Sequence, residues 1–190
     1  MSAVYLLLGF PGTGKYTVGK ALAAELEQRG ETVRLIDNHY VNNVIFGVID
    51  QRGRLPEGVW ELVRQVRNAV TSALLEFGAP ERNIIFTNFI TEAEVPDLPP
   101  EFLARLNALG EQRSSGVRVV RLTCELEELS RRVQLQDRAE RMKLTNSDVL
   151  RKLVAENTIY DPPDRPTITL DVTDVSPAET AKRILDAAWP

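Results

Sequence analysis

Residues 6–22, with the sequence LLLGFPGTGKYTVGKAL, limit the possible folds of this chain more than any other segment. An apolar run leads directly into a segment in which Gly9, Gly14 and Lys15 fit the pattern G-x-x-x-x-G-K, and apolar residues at helical spacing follow. Glycines in such a loop let backbone N–H groups converge on phosphate oxygens, and the N-terminus of the next helix adds partial positive charge. We therefore predict a strand, a phosphate-binding loop and a helix, with Lys15 on the outer phosphates, rather than a tight turn that only joins two elements.

The residue after the lysine departs from the usual pattern. In that pattern a Ser or Thr whose hydroxyl holds magnesium follows the lysine directly, whereas here Tyr16 precedes Thr17. A dinucleotide-binding turn would need glycine at position 17. The sequence has no N-K-x-D motif for guanine recognition, and its third apolar run ends in FTNF, without the acidic residue that large motor ATPases place there. These exclusions leave the small kinases.

Composition and charge point to a small-molecule partner. The 190 residues are 43% hydrophobic and 26% charged, which is typical of a globular domain, and we predict one domain over residues 1–190. The net charge of -4 argues against a general nucleic-acid or anionic-membrane binder. Cys124 and His39 are the only residues of their types, so neither a disulfide framework nor a zinc cluster is expected. The apolar N-terminal run is too short for a membrane span and lacks the basic residues of a signal peptide, so we expect a cytoplasmic protein.

Apolar strand-like runs alternate with segments of helical period, which indicates a mostly parallel sheet covered by helices on both faces. We predict strands at 3–8, 32–36, 83–87, 117–123 and 167–172. We predict a first helix after the glycine loop, a last helix capped by Ser176, and helices between them at 57–77, 100–109, 125–135 and 147–158. The polar stretch 134–146, which carries Arg138, Arg141 and Lys143, is predicted to form a lid.

The segment GFPGTGKYT resembles the G-x-P-G-x-G-K-G-T loop of adenylate kinases, in which the threonine also comes one place later. The order of strands and helices over nearly the whole chain is similar to that of the wider P-loop kinase family, which includes shikimate kinase, gluconate kinase and chloramphenicol phosphotransferase. This resemblance implies a three-layer α/β P-loop NTPase fold with a five-stranded parallel sheet in the order 2-3-1-4-5. It also implies that Thr17 touches a phosphate while magnesium is held largely by nucleotide oxygens and water, so no protein ligand of the metal is assigned.

The resemblance further implies a magnesium-dependent kinase that transfers the γ-phosphoryl group of ATP to a small hydroxyl-bearing metabolite or antibiotic. The predicted ATP contacts lie in the loop and in the helix after the fourth strand: Gly9, Gly12, Thr13, Gly14, Lys15, Tyr16, Thr17 and Arg132. By position, Arg138 would lie over the transferring phosphoryl group, and Arg141 fits the same role. A solvated charged helix face is the alternative interpretation of these arginines, since acidic residues surround them.

Asp37 follows the second predicted strand in RLIDNHYV, where family members with hydroxyl acceptors often carry an aspartate. A carboxylate at the carboxyl end of a parallel strand faces the crevice in which ligands bind. We predict that Asp37 accepts the proton of the acceptor hydroxyl and is catalytic together with Lys15 and Arg138. The alternative is a turn residue, because Asp-Asn pairs are common in turns. His39, placed in the same loop, is interpreted as a surface or hydrogen-bonded residue before a substrate contact.

Two other functions stay open at this point. A nucleoside monophosphate kinase would need a second arginine cluster for the acceptor phosphate, for which the chain offers Arg52, Arg54, Arg64 and Arg67. Arg64 and Arg67 lie one helical turn apart and could line an acceptor pocket, but we interpret them as surface residues. A nucleotide-binding regulatory protein without turnover is favoured by Tyr16 and by the missing acidic residue at the end of the third strand.

Overall fold

A five-stranded parallel sheet forms the centre of the computed structural model, which describes residues 2–49, 55–93, 100–135, 143–163 and 165–189. The strands are β1 (Val4–Leu8), β2 (Val33–Asp37), β3 (Asn83–Asn88), β4 (Val117–Thr123) and β5 (Thr167–Asp171). Their order is β2-β3-β1-β4-β5, and every neighbouring pair is parallel. The predicted sheet and strand order are therefore confirmed.

Seven helices within the described ranges flank the sheet: α1 (Lys15–Gln28), α2 (Asn38–Phe46), α3 (Val59–Phe77), α4 (Pro100–Glu111), α5 (Leu126–Val133), α6 (Ser147–Glu156) and α7 (Pro177–Asp186). The predicted helices are observed with ends shifted by a few residues, whereas α2 was not predicted. None of the helices in these ranges combines the length and the apolar composition that a membrane crossing requires.

The central strands β1 and β3 are buried along their whole length, because helices cover both faces of the sheet. On one face, α1 and α7 pack on alternate residues of the strands through side chains that include Leu22 and Ile184. On the other face, Phe102 and Leu106 of α4 pack on the remaining set, which includes Leu6. Side chains of each strand thus alternate between the two cores. Because the strands are parallel, the carboxyl ends of β1, β2 and β3 meet at one edge of the sheet.

The helix that sequence patterns missed, α2, begins directly after β2. Its apolar side chains Val41 and Phe46 are buried against Val59 and Val63 of α3, and we refer to these four residues as the α2–α3 cluster. Asparagines are weak helix formers and favour turns, so local preferences predict a loop for the segment NHYVNNVIF. Packing against α3 overrides this preference and makes the segment helical.

Candidate active site

The glycine loop joins β1 to α1 and lies under α5. Gly12 and Gly14 adopt φ values of 95° and 86°, in the left-handed region that side chains disfavour. At Gly12 a Cβ would also lie 3.1 Å from the carbonyl oxygen of Leu129 and 3.1 Å from Cγ1 of Val133, both in α5. The loop therefore needs glycine at position 12 for its backbone conformation and for the close approach of α5.

Lys15 folds back over the loop. Its Nζ donates hydrogen bonds to the carbonyl oxygens of Gly9 at 2.7 Å and Phe10 at 2.9 Å, and it lies 3.4 Å from Oγ1 of Thr13. The first hydrogen bond of the α1 ladder runs from Val18 N to Gly14 O, so the N–H groups of the preceding turn lie at the loop. An ammonium group and a helix N-terminus at one glycine loop form a binding site suited to phosphate.

Tyr16 points from the first turn of α1 towards α2. Its hydroxyl lies 2.8 Å from the hydroxyl of Tyr40, and the two rings meet edge to face with centroids 6.0 Å apart. The Nζ atoms of Lys20 and Lys143 each lie 5.0 Å from the centroid of the Tyr16 ring. The position that usually carries a magnesium-binding hydroxyl is thus occupied by a side chain that links α1 to α2, and Thr17 beside it is an exposed residue.

Asp37 ends β2 with its carboxylate buried, at 5% exposure. Thr87 donates a hydrogen bond to Oδ1 at 2.5 Å, and Lys143 Nζ lies 3.2 Å from Oδ2. Asp37 and Thr87 are paired in register on neighbouring strands, so the sheet itself sets this contact. Although Asp37 precedes α2, its side chain makes no capping hydrogen bond to that helix, which argues against the interpretation as a turn residue.

Neither Thr87 nor Lys143 was predicted to be a partner of Asp37. Thr87 lies in the predicted third strand and is brought next to Asp37 by the adjacency of strands two and three, so the predicted strand order contains the signal for it. Lys143 was noted only as part of the polar stretch 134–146, and no local pattern connects it with Asp37. His39, expected in a loop, instead lies half-buried in the first turn of α2.

A small cavity of about 10 Å³, which has room for about one water molecule, lies on the face of the sheet edge opposite to the Asp37 carboxylate. Its walls come from β2, β3, α2, α3 and α4, through Ile36, Asn38, Val41, Arg67, Val70, Thr71, Phe86, Asn88 and Phe102. Arg67 donates a hydrogen bond to Oδ1 of Asn38 at 3.1 Å, and its guanidinium lies 5.6 Å from the centroid of the Phe102 ring. The surface interpretation is therefore wrong for Arg67, because the helical period places it on the inner face of α3 with Val63 and Thr71. It holds for Arg64, which forms an ion pair with Glu61 on the surface.

Hydrogen bonds of Arg132 connect α5 to the chain segment after β5. Its Nε donates to Oε1 of Glu128 at 2.6 Å, and one terminal nitrogen donates to the carbonyl oxygens of Val172 at 3.0 Å and Thr173 at 2.8 Å. Hydrogen bonds from Arg131 and then Arg132 lower the pKa of Glu128 to about 2. Arg131 is 65% exposed, whereas Arg132 is 21% exposed and is held between Glu128 and the segment after β5.

Several predicted positions lie outside the described residues: most of the predicted lid at 134–146, Arg138, Arg141, Arg52 and Arg54. For a metal ion, the described part of the chain holds no group of three or more His, Cys, Asp or Glu side chains suited to bind one. Asp37 and Thr87 place side-chain oxygens next to each other at the carboxyl ends of β2 and β3. Such a set fits a magnesium ion that keeps several water and phosphate ligands.

Comparison with known proteins gives a family and a fold. A family model described as an AAA domain matches residues 6–155. Comparison with curated protein sequences gives no match. Among solved structures, a candidate kinase from Chloroflexus aurantiacus j-10-fl superposes with a TM-score of 0.65 at 17% identity, covering 97% of this chain and 97% of that one.

Two further structures show the same fold. A gluconokinase from Sinorhizobium meliloti 1021 gives a TM-score of 0.55 at 17% identity, covering 96% of this chain and 89% of that one. Chaetomium thermophilum Kti12 in complex with ADP-AlF3 gives a TM-score of 0.58 at 18% identity, covering 97% and 98%. At these identities the likeness concerns the fold, in which the glycine loop is the nucleotide-binding element. The chain belongs to the AAA domain family, and its P-loop fold is that of the small-molecule kinases.

Proposed function

We propose that this protein is an ATP-dependent phosphotransferase that acts on the hydroxyl group of a small acceptor. The observation that carries this proposal is the placement of Asp37, a buried carboxylate at the carboxyl edge of the sheet that is held by Thr87 and Lys143 and is not used to cap a helix. Ligands of open α/β sheets bind at this edge. A carboxylate there is suited to take a proton from a hydroxyl nucleophile.

MgATP, when bound, supplies the γ-phosphoryl group as electrophile, while the metal neutralises the phosphate charge. In the proposed reaction the glycine loop and Lys15 hold the outer phosphates, a role supported by the fold of residues 9–15 around the ammonium group. Asp37 accepts the hydroxyl proton as the acceptor oxygen forms its bond to phosphorus and the bond to the ADP oxygen breaks. Most of the catalytic effect in such transfers comes from positioning and charge stabilisation.

The other nucleotide contacts are also part of the proposal. We assign Gly9, Gly12, Thr13, Gly14, Tyr16 and Thr17 to the phosphate side of the site. Arg132 is assigned to the adenine side, supported by its hydrogen bonds to the segment after β5. Arg138 is proposed to lie over the transferring phosphoryl group. The lone Cys124 and the acidic net charge are in keeping with a cytoplasmic protein that acts on small molecules.

A nucleoside monophosphate kinase is the second candidate, favoured by the arginine in the small cavity at this edge of the sheet. In that case the acceptor phosphate arrives ionised and needs positioning by arginine more than a base. Of the two candidate arginines within the described residues, only Arg67 lies there, because Arg64 is paired with Glu61 at the surface. The hydroxyl acceptor is therefore preferred.

The test is a screen of metabolites for ATP-dependent phosphorylation, followed by kinetics of Asp37→Asn. We expect turnover to fall by about 10² to 10⁴, the range of general-base contributions, while MgATP affinity measured by calorimetry stays unchanged. Asp171→Asn is the matched control, because Asp171 ends β5 at the same edge of the sheet but is exposed, and it should keep full turnover.

The outcomes separate the three candidate functions. Full turnover in Asp37→Asn would remove this residue from the mechanism. Phosphorylation confined to nucleoside monophosphates, with a small effect of Asp37→Asn, would establish the second candidate. MgATP binding without turnover on any compound would indicate a regulatory protein.

A further inference from the structure

The carboxylate of the proposed base, Asp37, is almost completely covered in the structure. Its side chain is 7% exposed, Thr87 donates a hydrogen bond to Oδ1 at 2.5 Å, and Lys143 Nζ lies 3.2 Å from Oδ2. A general base must come within hydrogen-bond distance of the hydroxyl whose proton it accepts. An acceptor therefore reaches this carboxylate only if one of the groups that cover it moves away.

Thr87 and Lys143 differ in how readily they can move. Thr87 is held by the sheet, because it is paired in register with Asp37 on the neighbouring strand and is 1% exposed. Lys143 lies outside helix and strand, in the segment 143–146 before α6, and its ammonium group ends a flexible aliphatic stem. Moving Thr87 would disturb the pairing of β2 with β3, whereas moving the Lys143 ammonium requires only rotation about side-chain bonds.

A second contact of Lys143 shows where its ammonium group can go. Lys143 Nζ lies 5.0 Å from the centroid of the Tyr16 ring, a distance at which a cation is attracted to the face of an aromatic ring. Tyr16 directly follows Lys15 in the first turn of α1, at the loop to which we assign the outer phosphates. The same ammonium group therefore contacts both the proposed base and the phosphate side of the site.

An apolar cluster between α5 and α6 holds both the glycine loop and the residue after Lys143. Phe10 of the loop and Leu144 pack on its buried side chains, which are Leu129, Val133 and Leu150. The backbone next to Lys143 is thus anchored beside the loop. A change of side-chain rotamer at Lys143 therefore keeps its ammonium group within the site.

A bound nucleotide changes which anion attracts this ammonium group most strongly. The Asp37 carboxylate carries one negative charge, whereas the outer phosphates of a nucleotide carry more, and MgATP as a whole stays anionic. The attraction increases with the charge of the partner, and it is weakly screened here because the Lys143 side chain is only 12% exposed. Phosphate at the glycine loop therefore competes with Asp37 for the same cation.

We infer that Lys143 controls access to Asp37: the ion pair covers the base until the outer phosphates of a nucleotide attract the ammonium group, and the acceptor then reaches the uncovered carboxylate. The roles of Asp37 and of the acceptor are those of the proposed function, on which this inference rests. The departure from the usual loop pattern at Tyr16 also gains a physical reason, because the aromatic ring gives the ammonium group a neutral contact beside the phosphate site. The consequence is an order of binding, with the nucleotide before the acceptor.

The first test follows Lys143 and Asp37 without any acceptor. In protein with isotope-labelled lysine and aspartate, the NMR signals of the Lys143 Cε and the Asp37 carboxyl group are recorded during titration with magnesium and a non-hydrolysable ATP analogue. Lys143→Arg and Asp37→Asn identify the two signals by their loss. We expect both signals to shift and to saturate at the same analogue concentration, while those of the exposed Lys152 and Asp186 stay in place. Adenosine, which lacks phosphates, should move neither signal.

Several results of this titration would overturn the inference. If the Lys143 signal does not respond, or if it shifts while the Asp37 signal stays in place, the ion pair persists in the nucleotide complex and does not control the base. Calorimetry under the same conditions measures binding of the analogue. An analogue that does not bind would overturn both the inference and the proposed function.

The second test measures the coupling between nucleotide and acceptor, with an acceptor from the phosphorylation screen. Its affinity is measured by calorimetry with and without the magnesium complex of the ATP analogue. Wild type should bind the acceptor about tenfold or more tightly when the analogue is present, which is within the usual range of coupling between two sites. In Lys143→Gln the acceptor affinity should be nearly the same in both cases, because no ammonium group covers the base. Lys143→Arg, which retains the charge, and Lys152→Gln on α6 should both keep the coupling.

The outcomes separate the inference from the proposed function. Equal acceptor affinities in wild type with and without the analogue, or undiminished coupling in Lys143→Gln, would overturn the inference while the kinase function stands. Linked shifts of Lys143 and Asp37 in a protein for which the screen finds no acceptor would support the control of Asp37 by nucleotide while the proposed function fails. The first test is made on wild type and decides the inference even if Lys143→Gln does not fold.

Discussion

Lys143 Nζ lies 3.2 Å from Oδ2 of Asp37, in an ion pair between residues 106 positions apart. Both side chains are largely buried, at 12% and 7% exposure. The pair joins the segment before α6 to the end of β2, and Lys143 also lies against the ring of Tyr16. One cation thus contacts the proposed base and the first turn of α1 together.

We predict that Lys143→Met lowers the free energy of unfolding by about 3 kcal/mol, because it leaves a buried carboxylate with Thr87 as its remaining partner. Asp37→Asn combined with Lys143→Met should cost less than the sum of the single changes, since the two residues share one interaction. Urea unfolding of the four proteins measures this coupling. Lys152→Met on the exposed face of α6 is the control and should change stability by less than about 0.5 kcal/mol. Additive costs would show that the ion pair does not form in solution.

Lys15 should be needed for nucleotide affinity and dispensable for the fold. Its ammonium group contacts the carbonyl oxygens of Gly9 and Phe10 and would be available to phosphate oxygens at the same loop. Because a charge-assisted contact is worth about 1.5 to 3 kcal/mol, Lys15→Ala should weaken ATP binding about tenfold or more. Isothermal titration calorimetry measures this, with Lys20→Ala, an exposed lysine one turn along α1, as the control. Equal affinities in Lys15→Ala and wild type would refute the phosphate-site assignment.

Tyr16 and Thr17 should differ in their effects on MgATP binding. The Tyr16 ring packs between α1 and α2, whereas Thr17 is an exposed residue in the first turn of α1. We therefore predict that Thr17→Val weakens MgATP binding and that Tyr16→Ser does not restore or improve it. Calorimetric titrations of the two variants decide the point. A protein that binds nucleotide only after Tyr16→Ser would contradict the similarity to the adenylate-kinase loop.

The interaction of Glu128 with Arg131 and Arg132 should make the free energy of unfolding depend on pH in the acidic range. The pKa of Glu128 is about 2 in the folded protein against an ordinary value of 4.5. A lowered folded-state pKa stabilises the protein fully above the unfolded-state pKa, and this contribution is lost as the pH falls through the folded-state value. Glu128→Gln should thus be less stable than wild type at neutral pH, and the difference should vanish between pH 4.5 and about 2. Urea unfolding midpoints of wild type and Glu128→Gln across this pH range measure the difference. Glu27→Gln, on the exposed side of α1, is the control. A stability difference that does not change with pH would contradict the prediction.

Much of the architecture could be predicted from sequence because its signals are local. The strand, glycine loop and helix at 4–28 are specified within one short segment, and the buried strands are continuous apolar runs. The helix α2 was missed because NHYVNNVIF is locally a turn-forming sequence, and its conformation depends on contacts with Val59 and Val63 of α3. Tertiary packing of this kind leaves little trace in a single segment.

The site was only partly predictable for the same reason. Asp37 was predicted as a candidate base because it follows a strand, and ligands bind at the carboxyl ends of parallel strands. Its contact with Lys143 depends on how a distant segment returns to the sheet, which no sequence spacing indicates. Arg67 was placed on the surface with Arg64, although Val63 and Thr71 lie four residues to either side of Arg67 and mark the inner face of α3. A stricter use of helical period would have separated the two arginines.

The α2–α3 cluster shares no residue with the two cores of the sheet among the described residues. A domain with separate cores can open locally, since one core can lose its packing while the others keep theirs. The amide hydrogens of α2 should therefore exchange with solvent through a partial opening that costs less free energy than global unfolding, whereas those of β1 and β3 should require the global event. Because α2 begins directly after Asp37, an acceptor that contacts α2 only in its packed form would raise the free energy of that opening by mass action. Under the proposed function, acceptor binding and the local stability of α2 would thus be two measurements of one equilibrium.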